Sequence, residues 1–212
     1  MKFDLPEATI ELHEHFFDAQ ESASIMQALI TGIDWQQYQI KIFGKTLDQP
    51  RLTAYYGQDH PHYAYSNIKL QPIPFTHILL SIKNKIEALT AHTFNGVLLN
   101  YYRNGDDSMG WHADDEKELG INPVIASLSF GATRTFQMQH RFQKLIPKQG
   151  IALNDASLLI MQDETQHFWK HQIPKQKNKG PRINLTLEKS FINSIKFFYI
   201  VFNLKIILDS KY

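Results

Sequence analysis

The chain of 212 residues contains no cysteine. Disulfides, zinc–thiolate sites and thiol nucleophiles are therefore excluded. The sequence also lacks an excess of charge of one sign, because 22 basic and 21 acidic side chains leave a formal net charge of +1. Any contact with nucleic acid must therefore come from a local basic patch. The first residues, MKFDLPE, show no basic segment followed by an apolar run, so we expect no signal peptide and a cytoplasmic protein, or a nuclear one in a eukaryote.

Long hydrophobic runs are missing as well. The most apolar stretch is the C-terminal one, and Lys196, Asn203 and Lys205 interrupt it before it reaches the ~18 residues of a membrane helix. We therefore expect no membrane partner, and we treat residues 188–212 as an atypical tail. Hydrophobic residues make up 43% of the chain, which is enough for a packed core. The length favours one domain over residues 1–212, and we expect a monomer.

Two segments predict helices. Asp18 and Glu21 have the spacing of a capping box, an apolar run at helical spacing follows them, and Gly32 is a plausible end. A second run, from Phe75 to Leu89, repeats its apolar residues with a helical period. Five later segments predict short strands, which are residues 97–102, 124–130, 134–139, 157–161 and 182–186. This pattern indicates an α+β protein with a jelly-roll core over residues 96–187.

Residues 35–75 contain two features that suit nucleotide recognition. Phe43-Gly44-Lys45 has the pattern of a hairpin tip, where a phenylalanine could enter a base stack while the lysine meets a phosphate. A partly buried turn aromatic is the alternative interpretation. Tyr63 and Tyr65 belong to a dense aromatic stretch that suits base stacking, although tyrosines are also common in half-buried strands.

The motif with the clearest chemistry is His112-x-Asp114. In an extended segment these two side chains point the same way, and a distant histidine would complete the two-histidine, one-carboxylate triad of non-heme Fe(II) oxygenases. The third ligand should lie on a later strand, where His167 and His171 are both candidates. Arg182 follows about ten residues later, and its planar guanidinium suits the far carboxylate of a 2-oxo acid.

These motifs resemble those of the AlkB family of Fe(II)- and 2-oxoglutarate-dependent nucleic-acid dealkylases, most closely its animal DNA-repair homologues. The resemblance covers roughly residues 35–187. It is carried by Phe43-Gly44-Lys45, Pro50-Arg51, Tyr56-Gly57, Tyr63-Ala-Tyr65-Ser66, Asn100-Tyr-Tyr102, the block from His112 to Glu116, His171, and the segment from Arg182 to Thr186.

The resemblance implies a double-stranded β-helix with flanking helices and an N-terminal substrate-recognition lid. It implies oxidative demethylation of bases such as 1-methyladenine and 3-methylcytosine, with O2 consumed, 2-oxoglutarate decarboxylated and formaldehyde released. The substrate would be damaged DNA, duplex or single-stranded, with RNA also possible. It assigns iron binding to His112, Asp114 and His171, cosubstrate binding to Asn100, Tyr102, Arg182, Asn184 and Thr186, and substrate binding to Phe43, Gly44, Lys45, Arg51, Tyr63, Tyr65 and Asp115.

One position departs from the family pattern. The strand that begins at Arg182 usually runs Arg-x-Asn-x-Thr-x-Arg, and Glu188 stands where the second arginine is expected. A glutamate there would repel the carboxylate of a cosubstrate. This departure leaves a catalytically impaired protein that binds damaged bases as one alternative. An RNA or protein oxygenase of the same superfamily is the other alternative that stays open.

Overall fold

A computed structural model describes residues 1–42, 45–57, 73–116 and 119–190. Thirteen strands and three helices lie in these described parts of the chain. The strands are β1 (Lys2–Phe3), β2 (Thr9–His13), β3 (Gln39–Ile42), β4 (Lys45–Asp48), β5 (Leu52–Gly57), β6 (Gly96–Tyr102), β7 (Met109–His112), β8 (Ile125–Gly131), β9 (Arg134–His140), β10 (Gln149–Leu153), β11 (Ser157–Gln162), β12 (Trp169–Ile173) and β13 (Arg182–Glu188). The helices are α1 (Ala19–Gly32), α2 (His77–Thr90) and α3 (Thr165–Phe168).

The strands form two facing antiparallel sheets and a separate hairpin. The large sheet has the order β1-β2-β11-β8-β13-β6-β5, the small sheet has the order β10-β9-β12-β7, and β3 pairs with β4. Buried side chains from both sheets, such as Ile125 and Met161 of the large sheet and Phe136 and Trp169 of the small one, form a shared core between them. The predicted α+β class and jelly-roll core are therefore confirmed.

The two long helices cover the outer face of the large sheet. The predicted capping box is present at α1, because Asp18 Oδ1 accepts from the Glu21 backbone N–H at 2.8 Å and Glu21 Oε2 accepts from the Asp18 N–H at 3.2 Å. The helix ends at Gly32 as predicted. Helix α2 begins after the capping residue Thr76. No helix in the described ranges is both long and apolar enough to span a bilayer.

Strands β6, β8 and β13 are buried on both faces, and each face has its own character. Side chains alternate between faces along a strand. Those that pack toward the helices are apolar, namely Val97, Leu99, Ala126, Leu128, Phe130, Ile183, Leu185 and Leu187. Those on the opposite face are largely polar and line a pocket between the sheets, namely Leu98, Asn100, Tyr102, Ile125, Ser127, Arg182, Asn184, Thr186 and Glu188.

The structure adds detail that the sequence pattern did not supply. The five predicted strands are present, with ends shifted by one or two residues. Strands β1 and β10 were not predicted. Strand β7 ends at His112, so Asp114 lies just beyond the strand. The strands of the predicted hairpin are β3 and β4. Phe43 and Gly44 of its tip lie outside the described residues, as do residues 58–72 of the predicted recognition region and the tail after residue 190.

Glu188 ends β13 in a buried position, with 3% of its surface exposed. Its Oε1 accepts a hydrogen bond from the Tyr55 hydroxyl at 3.4 Å. Gly96 of β6 pairs with Glu188 across the two strands, and a Cβ at that glycine would collide with the Tyr55 hydroxyl. Burial, followed by the charges of Glu116 and Asp114, raises the pKa of Glu188 well above its ordinary value, against a smaller lowering by Tyr55. The carboxyl group is therefore neutral over a wider pH range than an exposed glutamate.

Replacing this group should make the protein more stable toward neutral pH. Between the ordinary and the raised pKa, the folded state holds a proton that the unfolded state has released. The free energy of unfolding therefore falls as pH rises, by up to about 1.4 kcal/mol per pH unit. Glu188→Gln removes this dependence, so its Tm should increasingly exceed that of the wild type as pH rises above the ordinary pKa of a glutamate, by about 2–4 °C per kcal/mol. Thermal unfolding across this range measures the effect.

Glu164→Gln is the matched control, because Glu164 is exposed and its side chain makes no capping hydrogen bond to helix α3. Its Tm should follow the wild-type curve at every pH. Parallel curves for wild type and Glu188→Gln would contradict the buried, protonated state of Glu188.

Candidate metal centre and anion pocket

Two strands of the small sheet bring the predicted metal ligands together. Strand β12 pairs antiparallel with β7, and this register places His171 opposite His112. Their ring centroids are 4.2 Å apart. Asp114 lies between them, with Oδ1 3.8 Å from His112 Nε2 and Oδ2 3.6 Å from His171 Nε2. All three ligand atoms lie within 4.8 Å of one another, so the three side chains could hold one metal ion.

Neighbouring groups fix the orientation of these side chains. His112 Nδ1 lies 2.9 Å from the carbonyl oxygen of Gly110. Because a carbonyl can only accept, Nδ1 carries the proton and Nε2 keeps its lone pair for a metal. The backbone N–H of Asp114 donates to Gln166 Oε1 at 2.9 Å, and the ring of Phe136 stacks on His171 with centroids 4.9 Å apart. Two imidazoles and one carboxylate form the donor set that suits Fe(II).

The structure distinguishes the two histidines that the spacing argument left open. His171 lies in β12 on the pocket side and is 5% exposed. His167 lies in the short helix α3. Among the described residues, the grouping of ligands that could hold a metal contains His171 and not His167.

Arg182 supplies a cation to the same pocket. It is 1% exposed, its Nη2 donates to Ser129 Oγ at 2.8 Å, and its guanidinium lies 5.2 Å from the centre of the Tyr102 ring. Burial lowers its pKa to about 10, against an opposing contribution from Tyr102, so it stays charged at neutral pH. Its Nε and Nη1 are buried without a hydrogen-bond acceptor of good geometry among the described residues. Since unsatisfied buried donors are costly, this end of the pocket fits an anionic group such as a carboxylate.

The other predicted cosubstrate residues line this pocket with the metal triad and Arg182. They are Asn100, Tyr102, Asn184 and Thr186. Asn184 Nδ2 donates to Ser127 Oγ at 2.8 Å and to the Leu128 carbonyl at 3.0 Å, and its Oδ1 accepts from the Thr186 hydroxyl at 3.2 Å. The pocket wall formed by β13 is therefore bonded to β8 and to itself.

Arg51, predicted to contact the substrate, lies in the interior. It is 2% exposed, and its Nε donates to Asn100 Oδ1 at 2.7 Å. In this conformation its guanidinium therefore faces the interior, and its substrate-binding role stays a prediction. Asp115 is placed near the metal group as its position in the sequence requires, and its Oδ2 pairs with Arg141 Nη1 at 2.6 Å.

The remaining residues predicted to bind substrate lie wholly or partly outside the described part of the chain. Phe43, Gly44, Tyr63 and Tyr65 lie outside the described residues, and Lys45 is described only through its backbone in β4. Their roles stay predictions.

Several supporting residues were missed by the sequence analysis. Ser127 and Ser129 hold Asn184 and Arg182, respectively, and Gln166 holds the backbone of Asp114. Two serines that alternate within an otherwise apolar strand were a usable signal of a polar inner face. Arg134 is fully buried and donates to the carbonyls of Asn104, Asp107 and Pro174. No sequence pattern pointed to this arginine, because its partners come from distant loops.

Comparisons with known proteins agree with this geometry. The 2OG-Fe(II) oxygenase superfamily matches residues 9–187. The human alpha-ketoglutarate-dependent dioxygenase alkB homolog 3 is 43% identical over 184 residues, which are 82% of this chain and 64% of that protein. The human DNA oxidative demethylase ALKBH2 is 36% identical over 183 residues, covering 82% and 70%, respectively. This chain thus spans less than two thirds of the length of the homolog 3 proteins it matches.

Two solved structures share the fold. The structure of OsALKBH1 matches with a TM-score of 0.60 at 15% identity, covering 89% of this chain and 99% of that one. An oxidoreductase of the 2OG-Fe(II) oxygenase family from Burkholderia pseudomallei matches with a TM-score of 0.56 at 12% identity, covering 86% and 84%. At these identities the likeness supports the fold alone.

The superfamily match covers most of the chain, including the metal triad and the strand of Arg182, and relatives above 30% identity cover about four fifths of the chain. The chain therefore belongs to the 2OG-Fe(II) oxygenase superfamily and, within it, to the AlkB family.

Proposed function

We propose that this protein is an Fe(II)- and 2-oxoglutarate-dependent dioxygenase that removes alkyl groups from nucleic-acid bases by oxidation. One observation carries the proposal. A two-histidine, one-carboxylate group lines the same pocket as a buried arginine, two of whose nitrogens meet no well-placed acceptor among the described residues. A metal ion and an anionic cosubstrate can therefore be held side by side.

Each residue has a role that follows from its chemistry. His112, Asp114 and His171 would hold Fe(II). When bound, the iron supplies the oxidation of a carbon–hydrogen bond by O2, coupled to decarboxylation of the 2-oxo acid. Arg182 would bind the distal carboxylate of that acid, since a guanidinium fork pairs with carboxylates in a bidentate manner. Asn100, Tyr102, Asn184 and Thr186 would orient it within the pocket.

The substrate is assigned from the relatives and from the predicted recognition region. Human ALKBH2 is described as a DNA oxidative demethylase. We propose the same class of substrate for this chain, namely an N-alkylated base in nucleic acid. Oxidation of an N-methyl carbon gives a hemiaminal that loses formaldehyde and restores the base. A base inside a duplex must leave the stack to reach the pocket, and the predicted hairpin tip with Phe43 would serve that step. Single-stranded DNA and RNA are further candidate substrates.

Glu188 favours one alternative, a protein that binds damaged bases without efficient catalysis. It faces the same pocket as Arg182, so an ionised carboxylate there would repel an anionic cosubstrate. The raised pKa of Glu188 weakens this argument, because a neutral carboxyl group exerts no net charge repulsion and can donate a hydrogen bond. We therefore favour the dioxygenase function.

The proposal predicts formaldehyde release in step with succinate formation. The protein, loaded with Fe(II), is given 2-oxoglutarate, O2 and an oligonucleotide that carries 3-methylcytosine, as single-stranded DNA, duplex DNA or RNA. His171→Ala should lower the rate by at least about 100-fold, because one of three metal ligands is lost. His167→Ala is the matched control and should retain near-wild-type activity, since His167 lies outside the triad.

Two results would count against this function. If methylated oligonucleotides of all three kinds yield no formaldehyde while damaged DNA still binds, the binding-only alternative holds. If 2-oxoglutarate is consumed only when a protein substrate is added, the chain is an oxygenase of another substrate class.

The charge of Asp115 should favour cationic lesions. A 3-methylcytosine carries a positive charge that a nearby carboxylate attracts, whereas 3-methylthymine is neutral. Asp115 already pairs with Arg141, so its net attraction is reduced but not lost. Asp115→Asn should lower kcat/KM for 3-methylcytosine by about 3- to 10-fold, which corresponds to a hydrogen bond or a partly screened ion pair. The value for 3-methylthymine should change less, and an unchanged ratio of the two values would refute the charge argument.

A further inference from the structure

Arg51 lies in the interior of the protein, although the resemblance assigned it to substrate binding. It precedes β5 and lies buried against the centre of β6. Its Nε donates to Asn100 Oδ1 at 2.7 Å, and its Nη1 donates to the Ser108 carbonyl at 2.9 Å. Arg51 is therefore bonded to one residue of the pocket wall and to the loop that leads into β7.

The bond to Asn100 determines which way its amide faces. A guanidinium has donors only, so it must meet the amide oxygen and not the amide nitrogen. The Nδ2 group of Asn100 is then the part of the amide left for other partners. Asn100 itself lines the pocket with the metal triad and Arg182, and it is flanked in the sheet by Thr53 and Asn184. A reversed amide would present a carbonyl oxygen to an anionic ligand, which would repel it.

The surroundings of Arg51 hold it firmly in this role. The backbone of Pro50 accepts a hydrogen bond from Ser108 N–H at 2.9 Å, which ties the segment before β5 to the same loop. Burial lowers the pKa of Arg51, while Tyr102 and Asp107 oppose that lowering. The guanidinium therefore stays charged, and its hydrogen bond to the amide oxygen is of the stronger, charge-assisted kind.

We propose that Arg51 is a positioning residue for cosubstrate binding, and that it acts by fixing the Asn100 amide so that its N–H group donates to the 2-oxo acid. The proposal rests on the proposed function, because it requires a 2-oxo acid in this pocket. The role proposed for Arg51 does not depend on nucleic-acid binding.

The test measures 2-oxoglutarate binding directly, without turnover. Isothermal titration of the Mn(II)-loaded protein with 2-oxoglutarate, in the absence of O2, gives Kd for wild type, Arg51→Met, Asn100→Ala and the double variant. Arg51→Met should raise Kd about 10-fold, which is the worth of one charge-assisted hydrogen bond. In the Asn100→Ala background the same change should have little effect, because the residue that Arg51 positions is gone.

Two further variants separate positioning from general damage. Arg51→Lys keeps the charge and one donor, so its Kd should fall between those of wild type and Arg51→Met. Arg103→Met is the matched control, because Arg103 lies in the same loop and its side chain donates to Asp107 and Gln37. Its Kd for 2-oxoglutarate should stay close to wild type. If Arg51→Met does not fold, the comparison of Arg51→Lys with and without Asn100→Ala decides the question.

The alternative role makes a different set of predictions. If Arg51 contacted phosphate, Arg51→Met would weaken binding to an unmodified single-stranded oligonucleotide, and the slope of log K against log salt would fall by about one. The proposal instead predicts an unchanged slope and an unchanged KM for the oligonucleotide. Equal increases in Kd for 2-oxoglutarate in both Asn100 backgrounds, or a change in the salt slope, would overturn it. If the wild-type protein binds no 2-oxoglutarate, the proposed function fails first, which is a separate outcome.

Discussion

The site depends on the antiparallel pairing of β7 with β12, which places His171 directly opposite His112. Side chains that face each other across a strand pair lie about 5 Å apart at Cβ, which is the range that two ligands of one metal ion need. Asp114, two residues after His112 and just beyond the end of β7, completes the group, with Oδ2 3.6 Å from His171 Nε2. A shift of this register by one residue would send His171 to the other face of the small sheet.

The anion pocket follows from the same period of two in the large sheet. Strand β13 sends Ile183, Leu185 and Leu187 to the helices, and its alternate residues line the pocket between the sheets. Burying polar groups there is tolerable only when they are bonded. Ser127 and Ser129 of β8 serve this purpose for Asn184 and Arg182. The two nitrogens of Arg182 that stay unpartnered among the described residues are then the part of the wall that a ligand can satisfy.

Glu188 shows how position changes the meaning of a residue. From the sequence alone, a glutamate in place of the expected arginine predicts weak cosubstrate binding. In the fold it is buried beside Tyr55, Glu116 and Asp114, and these surroundings favour its neutral form. A buried carboxyl group near other carboxylates does not act as a full negative charge.

The sequence by itself determined the elements with strong local signals. The capping box at Asp18, a helix over the run from Phe75 to Leu89, the five main strands and the ordered set of His112, Asp114 and Arg182 all follow from spacing and local chemistry. The tertiary structure decided what depends on distant partners. It brought His171 and not His167 to the metal group, buried Arg51 against Asn100, and paired Asp115 with Arg141. These outcomes are set by strand register and by which side chains lie across a sheet from one another, and neither is encoded in the periodicity of a single segment.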